Sequence, residues 1–422
     1  MYGKETERTL ENMSFSNVRL SAFPDFVKAC ALVKKAAAIS NYRAGELEHR
    51  HMQLITAACD EIIKGLHHDE FPVDVYHGGG GIGINMNINE VISRLSGDEV
   101  DTVEHVNMSQ STSEVNHTAM RIAMIHLTRN LIQEIDRFNI ILSEKSEEFR
   151  DVQTIARTCW RDGLSVSISV LFEALHDALK RNRNRLGLLV EELHFINLGW
   201  TVIGSGDGAS EGYRSYILEA LHDVTQLHLS WPENLYAAAQ YPDDIARLSA
   251  DIRICASLLM KFANDLRILS SGPEAGLGEL IIPEVQAGSS FFPGKVNPVI
   301  PEMVIQCAIL INGNNHSVQD ALNMGETYLN LWEEMMGFLV MDNLYMLTKV
   351  IRSFGTLCVR GIKVDVERCL QYSRSSSPML MKAKQEFGYR MISDWIHQDG
   401  VSGLQNRMDT ERGIRKHERG ET

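Results

Sequence analysis

Residues 288–302 read GSSFFPGKVNPVIPE, a stretch that combines reactive side chains with turn-forming residues. Two adjacent serines lie between glycines and prolines, which let the backbone bend and approach a ligand closely. Lys295 and Asn297 could hold a carboxylate by a charge-assisted contact and an amide hydrogen bond, and Glu302 adds a carboxylate near a predicted helix start. A serine could act as a base if nearby donors and positive charge strongly lowered its pKa. A plain helix-capping loop uses the same residue types, so the residues alone leave both interpretations open.

The composition is that of a globular chain, with 422 residues, 44% hydrophobic and 23% charged. This length suggests about two to three domains. With 41 basic and 55 acidic residues the net charge is −14, which repels phosphate backbones and anionic lipids and disfavours nucleic-acid or membrane partners. No apolar run approaches ~18 residues, so no transmembrane helix is expected. The charged N-terminal stretch lacks an apolar segment, so no signal peptide is expected either.

The seven cysteines are scattered and form no CxxC pair. A disulfide framework or a zinc knuckle is therefore not expected, and the pattern fits a reducing cytoplasm. Six of them are predicted to be small buried hydrophobic residues, and Cys159 is treated separately below.

Helical periodicity dominates the chain, and strand-like alternation is scarce. Apolar residues recur at three- and four-residue steps in four long predicted helices: 118–150, 164–195, 241–271 and 301–354. Helices of this length predict an all-α bundle, and their apolar stripes predict an oligomer. Glycine-rich loops separate them at 78–83, 199–208 and 288–294, where a site is expected. The tail 398–422 has little apolar content and is predicted to be mobile or to dock late.

The 288–302 segment resembles GSSxMPGKVNPxxPE, the signature of the aspartase/fumarase superfamily, at nearly every position. Further segments resemble other motifs of that family in the same order along the chain. They are Tyr2-Gly3 with Thr6, Arg8, Glu11 and Asn12 (YGxxTxRAxEN); Asn85-Met86-Asn87 with Asn89-Glu90-Val91 (NMNxNEV); 105–111 (HVNMSQS); Arg157-Thr158 with Asp162 (GRTxxQD); 204–206 (the GTG turn); and Leu329-Asn330 (LELN).

The resemblance implies a mostly helical protomer of three regions. Their expected bounds are 1–110 for an N-terminal helical domain, 111–353 for a central long-helix bundle, and 354–422 for a small C-terminal helical domain and tail. It also implies a homotetramer in which each active site gathers loops from three subunits.

The resemblance further implies an anti β-elimination on a small-molecule carboxylate. A base removes a proton from the carbon beside an activating group, and an amine or hydroxyl leaves the neighbouring carbon. Ser289 is the candidate base, Lys295 and Asn297 are the carboxylate anchors, and Glu302 is a supporting carboxylate. No metal or organic cofactor is implied. The other candidate substrate-binding residues are Ser290, Asn107, Ser111, Thr112, Ser113, Arg157, Thr158 and Asn87, with Cys159 a third candidate catalytic residue.

Several departures from the family pattern bear on the substrate. The hydroxyls of GxGTSTNMN are replaced at 82–84 by Ile-Gly-Ile, the amide of SSND is replaced at Ser113, and the asparagine of the GTGxN turn is lost within 204–208. Cys159 stands where the family has histidine or glutamine. Each lost donor to a charged group costs on the order of 1.5–3 kcal/mol, so binding of a second substrate carboxylate is expected to be weak.

Aromatic residues flank these altered motifs, at Phe291, Phe292, Trp160, Trp200 and Tyr76. Aromatic faces favour heteroaromatic rings and quaternary ammonium groups, although any one of these residues could equally serve core packing. The pattern is similar to what an ergothionase-like member would need, which expels trimethylamine from a histidine betaine. We therefore expect an amine lyase whose substrate is not free aspartate, with the ergothionase-like activity slightly favoured.

Alternatives remain at this stage: aspartate ammonia-lyase proper, a fumarase-type hydratase, or an inactive homologue. Cys159 could donate a proton if an extended strand places Arg157 and Arg161 on its face, or it could simply fill a vacated histidine position. A covalent role for this cysteine is the least favoured.

His105 and His117 are weak candidates for the general acid. Gly78, Gly80 and Gly83 formally fit a dinucleotide fingerprint but lack a clean strand–turn–helix context. Ser111 and Thr112 could be helix N-caps.

Overall fold

The computed structural model describes residues 2–418, and within them helices predominate, which confirms the predicted all-α fold. The helices are α1 Lys4–Asn12, α2 Pro24–Arg43, α3 His49–Ile63, α4 Ile82–Ser96, α5 Thr112–Glu148, α6 Ser169–Glu192, α7 Glu211–Thr225, α8 Leu235–Gln240, α9 Asp243–Leu269, α10 Val299–Leu322, α11 Glu333–Ser353, α12 Val366–Ser373, α13 Ser376–Phe387 and α14 Tyr389–Glu418. The strands are β1 Gln153–Thr158, β2 Arg161–Ser167, β3 Leu280–Ile281 and β4 Lys363–Val364, which form two antiparallel pairs, β1 with β2 and β3 with β4.

The described chain divides into two compact units. The first comprises Met1–Asn139, Ala178–Ala263 and Glu302–Phe354, and the second comprises Ile140–Asp177, Asn264–Pro301 and Gly355–Thr422, each as far as it is described. The three regions expected from the resemblance divide the chain differently, and they stay a prediction.

The first unit has an aromatic and aliphatic core between its long helices. Helix α2 begins at Pro24, a residue suited to the first turn, and it packs against α3 and α7. The ring of Phe338 on α11 lies 4.8 Å from Phe23 and 5.1 Å from Phe26, measured between ring centroids. Phe354, after α11, contacts Phe138 of α5 in the same way at 5.6 Å. These contacts pack α2, α5 and α11 against one another in the first unit.

The second unit is built on the β1–β2 hairpin, which packs against α12 and α13. A small core joins α13 and α14, with Leu404 fully buried and Met408 3% exposed. Residues 398–418 belong to α14 and Leu404 and Met408 pack against α13, which fits the docked alternative of the prediction. Residues 419–422 lie outside the described part.

Two helix predictions need correction, while those for α5 and α9 are confirmed. The predicted helix 164–195 begins at Ser169, because residues 161–167 pair with β1 instead. The predicted helix 301–354 is interrupted between α10 and α11, where Gly325 has a φ of 114° that other residues rarely adopt. No helix of the described residues is both long and apolar enough to cross a membrane.

Candidate active site

The loop of residues 288–297, called the serine loop below, closes on itself. A Cβ added to Gly288 would lie 1.9 Å from the Lys295 carbonyl oxygen, so only glycine lets the two arms approach. Asn297 Nδ2 donates to the Gly288 carbonyl at 2.5 Å across the same gap. The loop thereby brings the backbone of Lys295 and the side chain of Asn297 next to Gly288, the residue before Ser289.

Within this loop Ser289 Oγ accepts two backbone hydrogen bonds. They come from the N–H groups of Phe291 at 3.0 Å and Phe292 at 2.9 Å. Two such donors would stabilise negative charge on Oγ, which a serine base requires. The Lys295 ammonium lies 5.8 Å from the centroid of the Phe292 ring. The phenylalanines are 79% and 58% exposed, and Ser290 is exposed beside them, so the loop presents an open aromatic face in this chain.

Cys159 lies at the tip of the β1–β2 hairpin. Cys159 and Trp160 have φ angles of 50° and 58°, and they connect the paired residues Thr158 and Arg161. Two consecutive left-handed residues form a tight two-residue turn, so the chain is not extended here. The interpretation in which Arg157 and Arg161 flank the thiol on one strand face is therefore wrong. Cys159 and Thr158 are both exposed.

Arg157 lies close to the tip of this hairpin, where it pairs with Asp162 one residue pair before the pair that closes the turn. Its Nη1 lies 2.7 Å from Glu279 Oε2, and its guanidinium stacks on Tyr372 at 5.0 Å from the ring centroid. Glu279 is fully buried and also accepts a hydrogen bond from Thr154. Glu279 was missed in the sequence analysis because it belongs to none of the quoted motifs. Arg157 thus orients the hairpin in this chain, and its contact with substrate stays a prediction.

In the first unit, Asn107 is the centre of a polar cluster. Its Oδ1 accepts hydrogen bonds from Lys34 Nζ, Asn85 Nδ2 and Asn89 Nδ2, each at 3.0 Å. Its Nδ2 donates to the Gln110 carbonyl at 3.0 Å. Asn107 therefore fixes the turn that precedes the candidate hydroxyls, and its predicted contact with substrate is untested. Lys34 was missed because nothing in a run of helical residues signals a buried ammonium.

Residues 111–113 are half-buried and are called the hydroxyl loop below; Ser111 precedes α5, and Thr112 and Ser113 are its first two residues. Ser111 N–H donates to Glu114 Oε1 at 2.9 Å, which is one half of a capping box and supports the N-cap interpretation of Ser111. Thr112 Oγ1 accepts from Asn85 Nδ2 at 3.1 Å, and Ser113 Oγ donates to the Val202 carbonyl at 3.2 Å.

Glu114 itself turns inward from α5. Its Oε2 accepts the consecutive backbone N–H groups of Gly199, Trp200 and Thr201 at 2.7–2.9 Å. Burial raises the pKa of Glu114 to about 7, against the opposing effect of these three N–H donors and of the Ser111 N–H. The carboxyl therefore joins the hydroxyl loop to the glycine-rich 199–208 segment and does not replace the lost amide at Ser113.

The remaining candidates from the sequence are Asn87, Glu302 and the glycine run at 78–81. Asn87 is fully buried and donates to the Glu70 carbonyl at 2.9 Å. Glu302 is half-buried in the first turn of α10. The run of glycines at 78–81 has positive φ throughout and leads into α4, but residues 71–77 contain only an isolated bridge at Asp74 and no strand. The dinucleotide interpretation thus lacks its structural context.

A buried charged cluster in the first unit was also missed. Arg121 pairs with Glu333 at 2.6 Å and with Asp244 at 2.9 Å, and His117 Nδ1 lies 2.9 Å from Glu333. Burial alone would raise the pKa of Glu333, but its contacts with His117 and Arg121 lower it to about 2. Burial lowers the pKa of His117 below its usual value, so at neutral pH the ring lacks the extra proton that a general acid would donate.

His105 stacks on His51, with ring centroids 4.1 Å apart. Its Nδ1 accepts a hydrogen bond from the Asp101 N–H at 2.9 Å. Because the His105 ring already makes these two contacts, they do not support His105 as the general acid. In the described part of the chain, no group of three or more His, Cys, Asp or Glu side chains is placed to hold a metal ion.

Comparison with known proteins adds independent information. The profile of the family described as Lyase matches residues 1–313. An aspartate ammonia-lyase from a Bacillus species is 35% identical over 412 residues, which cover 95% of this chain and 88% of that protein. The aspartate ammonia-lyase of Escherichia coli K12 is 34% identical over 386 residues, covering 89% and 81%.

Solved structures agree with these sequence matches. A fumarate lyase:delta crystallin from Brucella melitensis superposes with a TM-score of 0.91 at 35% identity, covering 97% of this chain and 92% of that one. A class II fumarase from Schistosoma mansoni gives the same TM-score and coverage at 26% identity.

Proposed function

This chain belongs to the aspartase/fumarase superfamily of lyases, and we propose that it releases an amine from an α-amino-acid or betaine carboxylate. The observation that carries the proposal is the serine loop. It holds the Ser289 hydroxyl oxygen under two N–H donors, on the same loop as the Lys295 ammonium and the Asn297 amide, in an open and partly aromatic setting.

In the proposed reaction Ser289 Oγ, as an alkoxide, takes the proton from the carbon beside the activating group. The C–H electron pair forms a carbanion, which expels the amine from the neighbouring carbon and becomes the second bond of an alkene. The N–H groups of Phe291 and Phe292 support the alkoxide before the transfer. Glu302 is proposed as a supporting carboxylate of the same reaction.

The substrate carboxylate is proposed to bind Lys295 and Asn297. One amide hydrogen of Asn297 is used by the Gly288 carbonyl, which leaves the other for substrate. The Lys295 ammonium over the Phe292 ring supplies the charge. Ser290 and the hydroxyl loop are proposed to complete the contacts.

Two substrate classes remain in contention. The exposed phenylalanines of the serine loop favour a bulky, ring-bearing or quaternary ammonium substrate, which supports an ergothionase-like activity. Relatives named aspartate ammonia-lyase cover most of the chain and favour aspartate as the second candidate. Against aspartate stands Glu114, whose carboxyl is turned inward and adds no donor for a second carboxylate.

The proposal includes a homotetramer with sites shared among three subunits, as the resemblance implies. Tetramer formation would bring loops of different copies together. A reducing compartment such as the cytoplasm is also proposed, because the cysteines of the described residues are free thiols and most are buried.

The test is a direct assay on the purified full-length protein. We would measure trimethylamine from ergothioneine and ammonia from aspartate and from histidine. Ser289→Ala should lose about 10²–10⁴-fold in turnover with its circular dichroism unchanged. Ser165→Ala, an exposed serine of β2, serves as the matched control and should turn over normally.

The possible results of these assays overturn different parts of the proposal. Brisk deamination of aspartate would overturn the ergothionase-like assignment and leave the lyase proposal intact. Full activity of Ser289→Ala would overturn the serine base. A well-folded tetramer without turnover of any of these amines at high enzyme concentration would overturn the proposed function.

A further inference from the structure

The ammonium of Lys34 is buried in the first unit, on helix α2. The residue has no exposed surface, and its Nζ donates to Asn107 Oδ1 at 3.0 Å. Its sequence neighbour Lys35 differs completely, because its Nζ reaches Asp60 at 2.6 Å and its side chain is 23% exposed. A buried ammonium is costly, so its contact with Asn107 calls for an explanation beyond general stability.

That contact leaves the Asn107 side chain a single orientation. Asn85 and Asn89 of α4 donate to the same oxygen at 3.0 Å, so three donors converge on one carbonyl. The Asn107 Nδ2 group must then face the opposite way, where it donates to the Gln110 carbonyl at 3.0 Å. Lys34 thereby helps to close the turn 107–110.

Helix α2 holds this turn at a second point. Asn41 lies seven residues after Lys34, two helical turns along the same face. Its Nδ2 donates to the Met108 carbonyl at 3.1 Å, and its Oδ1 accepts from Ser109 Oγ at 2.8 Å. The turn 107–110 runs directly into the hydroxyl loop, so its position sets where those hydroxyls lie.

The groups that face the Lys34 ammonium provide little compensating charge. Cys30 on its own helix and Cys59 on α3 are buried thiols whose pKa values burial raises to about 12. Glu114 on α5 is the acidic group that acts on it. Burial lowers the pKa of Lys34 to about 7, so its charge changes near neutral pH.

We propose that Lys34 is a positioning residue of the elimination site, which acts through Asn107 to hold the turn 107–110 and with it the hydroxyl loop in the substrate-binding conformation. This inference rests on the proposed function for its catalytic consequence. Its structural consequence, the order of residues 107–113, stands independently of any activity.

The experiment uses Lys34→Met in the full-length protein, because methionine fills the same volume without charge. We expect KM to rise about tenfold or more, as for the loss of one hydrogen bond to a charged group, with a smaller change in kcat. Amide hydrogens of residues 107–113 should exchange at least tenfold faster. Lys35→Met is the matched control and should leave KM and that exchange unchanged.

Two further readouts separate positioning from general stability. Wild-type KM should rise as pH increases through about 7, and the rise should be smaller in Lys34→Met, where Glu114, whose pKa is also about 7, still titrates. In a double-mutant cycle, Lys34→Met combined with Asn107→Ala should be no worse than Asn107→Ala alone, because one residue acts through the other.

Several results would overturn the inference: a folded Lys34→Met protein with unchanged KM and exchange, or additive effects in the cycle. If Lys34→Met does not fold, Lys34→Gln is measured in its place, since it keeps a shorter donor and should show the same pattern more weakly. If the wild type turns over no amine, the proposed function fails, yet exchange at 107–113 still decides the role of Lys34.

Discussion

Gly288 lies where the two arms of the serine loop come closest. Gly288→Ala would put a methyl group 1.9 Å from the Lys295 carbonyl oxygen, a contact that forces the loop open. We expect activity to fall by about two orders of magnitude or more, because misplacing a base by an ångström is that costly. The measurement is kcat/KM with circular dichroism to confirm the fold.

The matched control for that change is Gly187→Ala. Gly187 lies within α6, and an added Cβ would meet nothing within 4 Å. Alanine in a helix interior should stabilise the protein by about 0.5–1 kcal/mol and leave turnover unchanged. Equal activity of both variants would show that the serine loop does not need its tight closure.

Glu334 carries a second prediction, on pH dependence. Burial and the neighbouring charge of Glu333 raise the pKa of Glu334 to about 8, from 4.5 in the unfolded chain. Between these pH values the folded state holds a proton that the unfolded state has lost, so stability falls as pH rises. Glu334→Gln should remove that fall, worth on the order of 3–5 kcal/mol.

The readout for Glu334 is the melting temperature from pH 5 to 8.5. The wild type should lose stability across this range relative to Glu334→Gln. Glu326→Gln, at an exposed glutamate in the segment between α10 and α11, is the control and should follow the wild type. Parallel curves for wild type and Glu334→Gln would contradict the prediction.

The sequence allowed some of these residues to be found and hid others. Ser289, Lys295 and Asn297 are close in sequence, so one contiguous loop can hold them together. The roles of Lys34 and Glu114 depend on the burial of their side chains. That burial comes from helices that are distant in sequence. Cys159 was misjudged because its tight turn lacks the asparagine or glycine that usually marks one.

At the scale of elements, carboxylates and amides join segments distant in sequence. Glu90 of α4 accepts the N–H groups of Gly3, Glu5 and Thr6, and so caps α1. Glu114 joins the hydroxyl loop to the 199–201 backbone in the same manner. The quoted motifs thus include residues that hold loops in place as well as residues expected to touch substrate.

The α13–α14 pair allows a prediction about the C-terminal segment. Leu404→Ala removes a fully buried side chain and should destabilise this pair by about 2–4 kcal/mol. Amide exchange across residues 376–415 should accelerate, because the pair has a small core of its own. Ile414→Ala, at a residue 49% exposed, is the control and should change little. Unchanged exchange in Leu404→Ala would mean that the helices are held by something other than this core.

Helix periodicity located α5 and α9 well because their apolar stripes are long and lack breakers. It failed where pairing overrides periodicity, as in β2, whose residues 161–167 were included in a predicted helix. It also ran across the break between α10 and α11, since apolar residues continue at helical spacing on both sides. Such endings depend on tertiary contacts that a single sequence does not display.

At the scale of the whole molecule, α10 buries some of its apolar residues in the first unit and leaves others exposed. Val304, Ala308 and Ile311 are buried at core spacing, whereas Ile309 and Leu310 are 59% and 56% exposed. A second apolar stripe on a long helix is typical of a surface that packs against another chain. It fits the homotetramer that the serine loop and the hydroxyl loop are proposed to require.

Leu310→Glu tests this assembly, because a carboxylate buried between copies would oppose association. Light scattering should give about four times 47.4 kDa for the wild type and a smaller particle for the variant, with activity lost in parallel since each site is proposed to need three subunits. Ile414→Glu, at an exposed apolar residue of α14, is the control and should remain tetrameric and active. A fully active single copy of Leu310→Glu would contradict the shared site, because one chain would then suffice for the elimination.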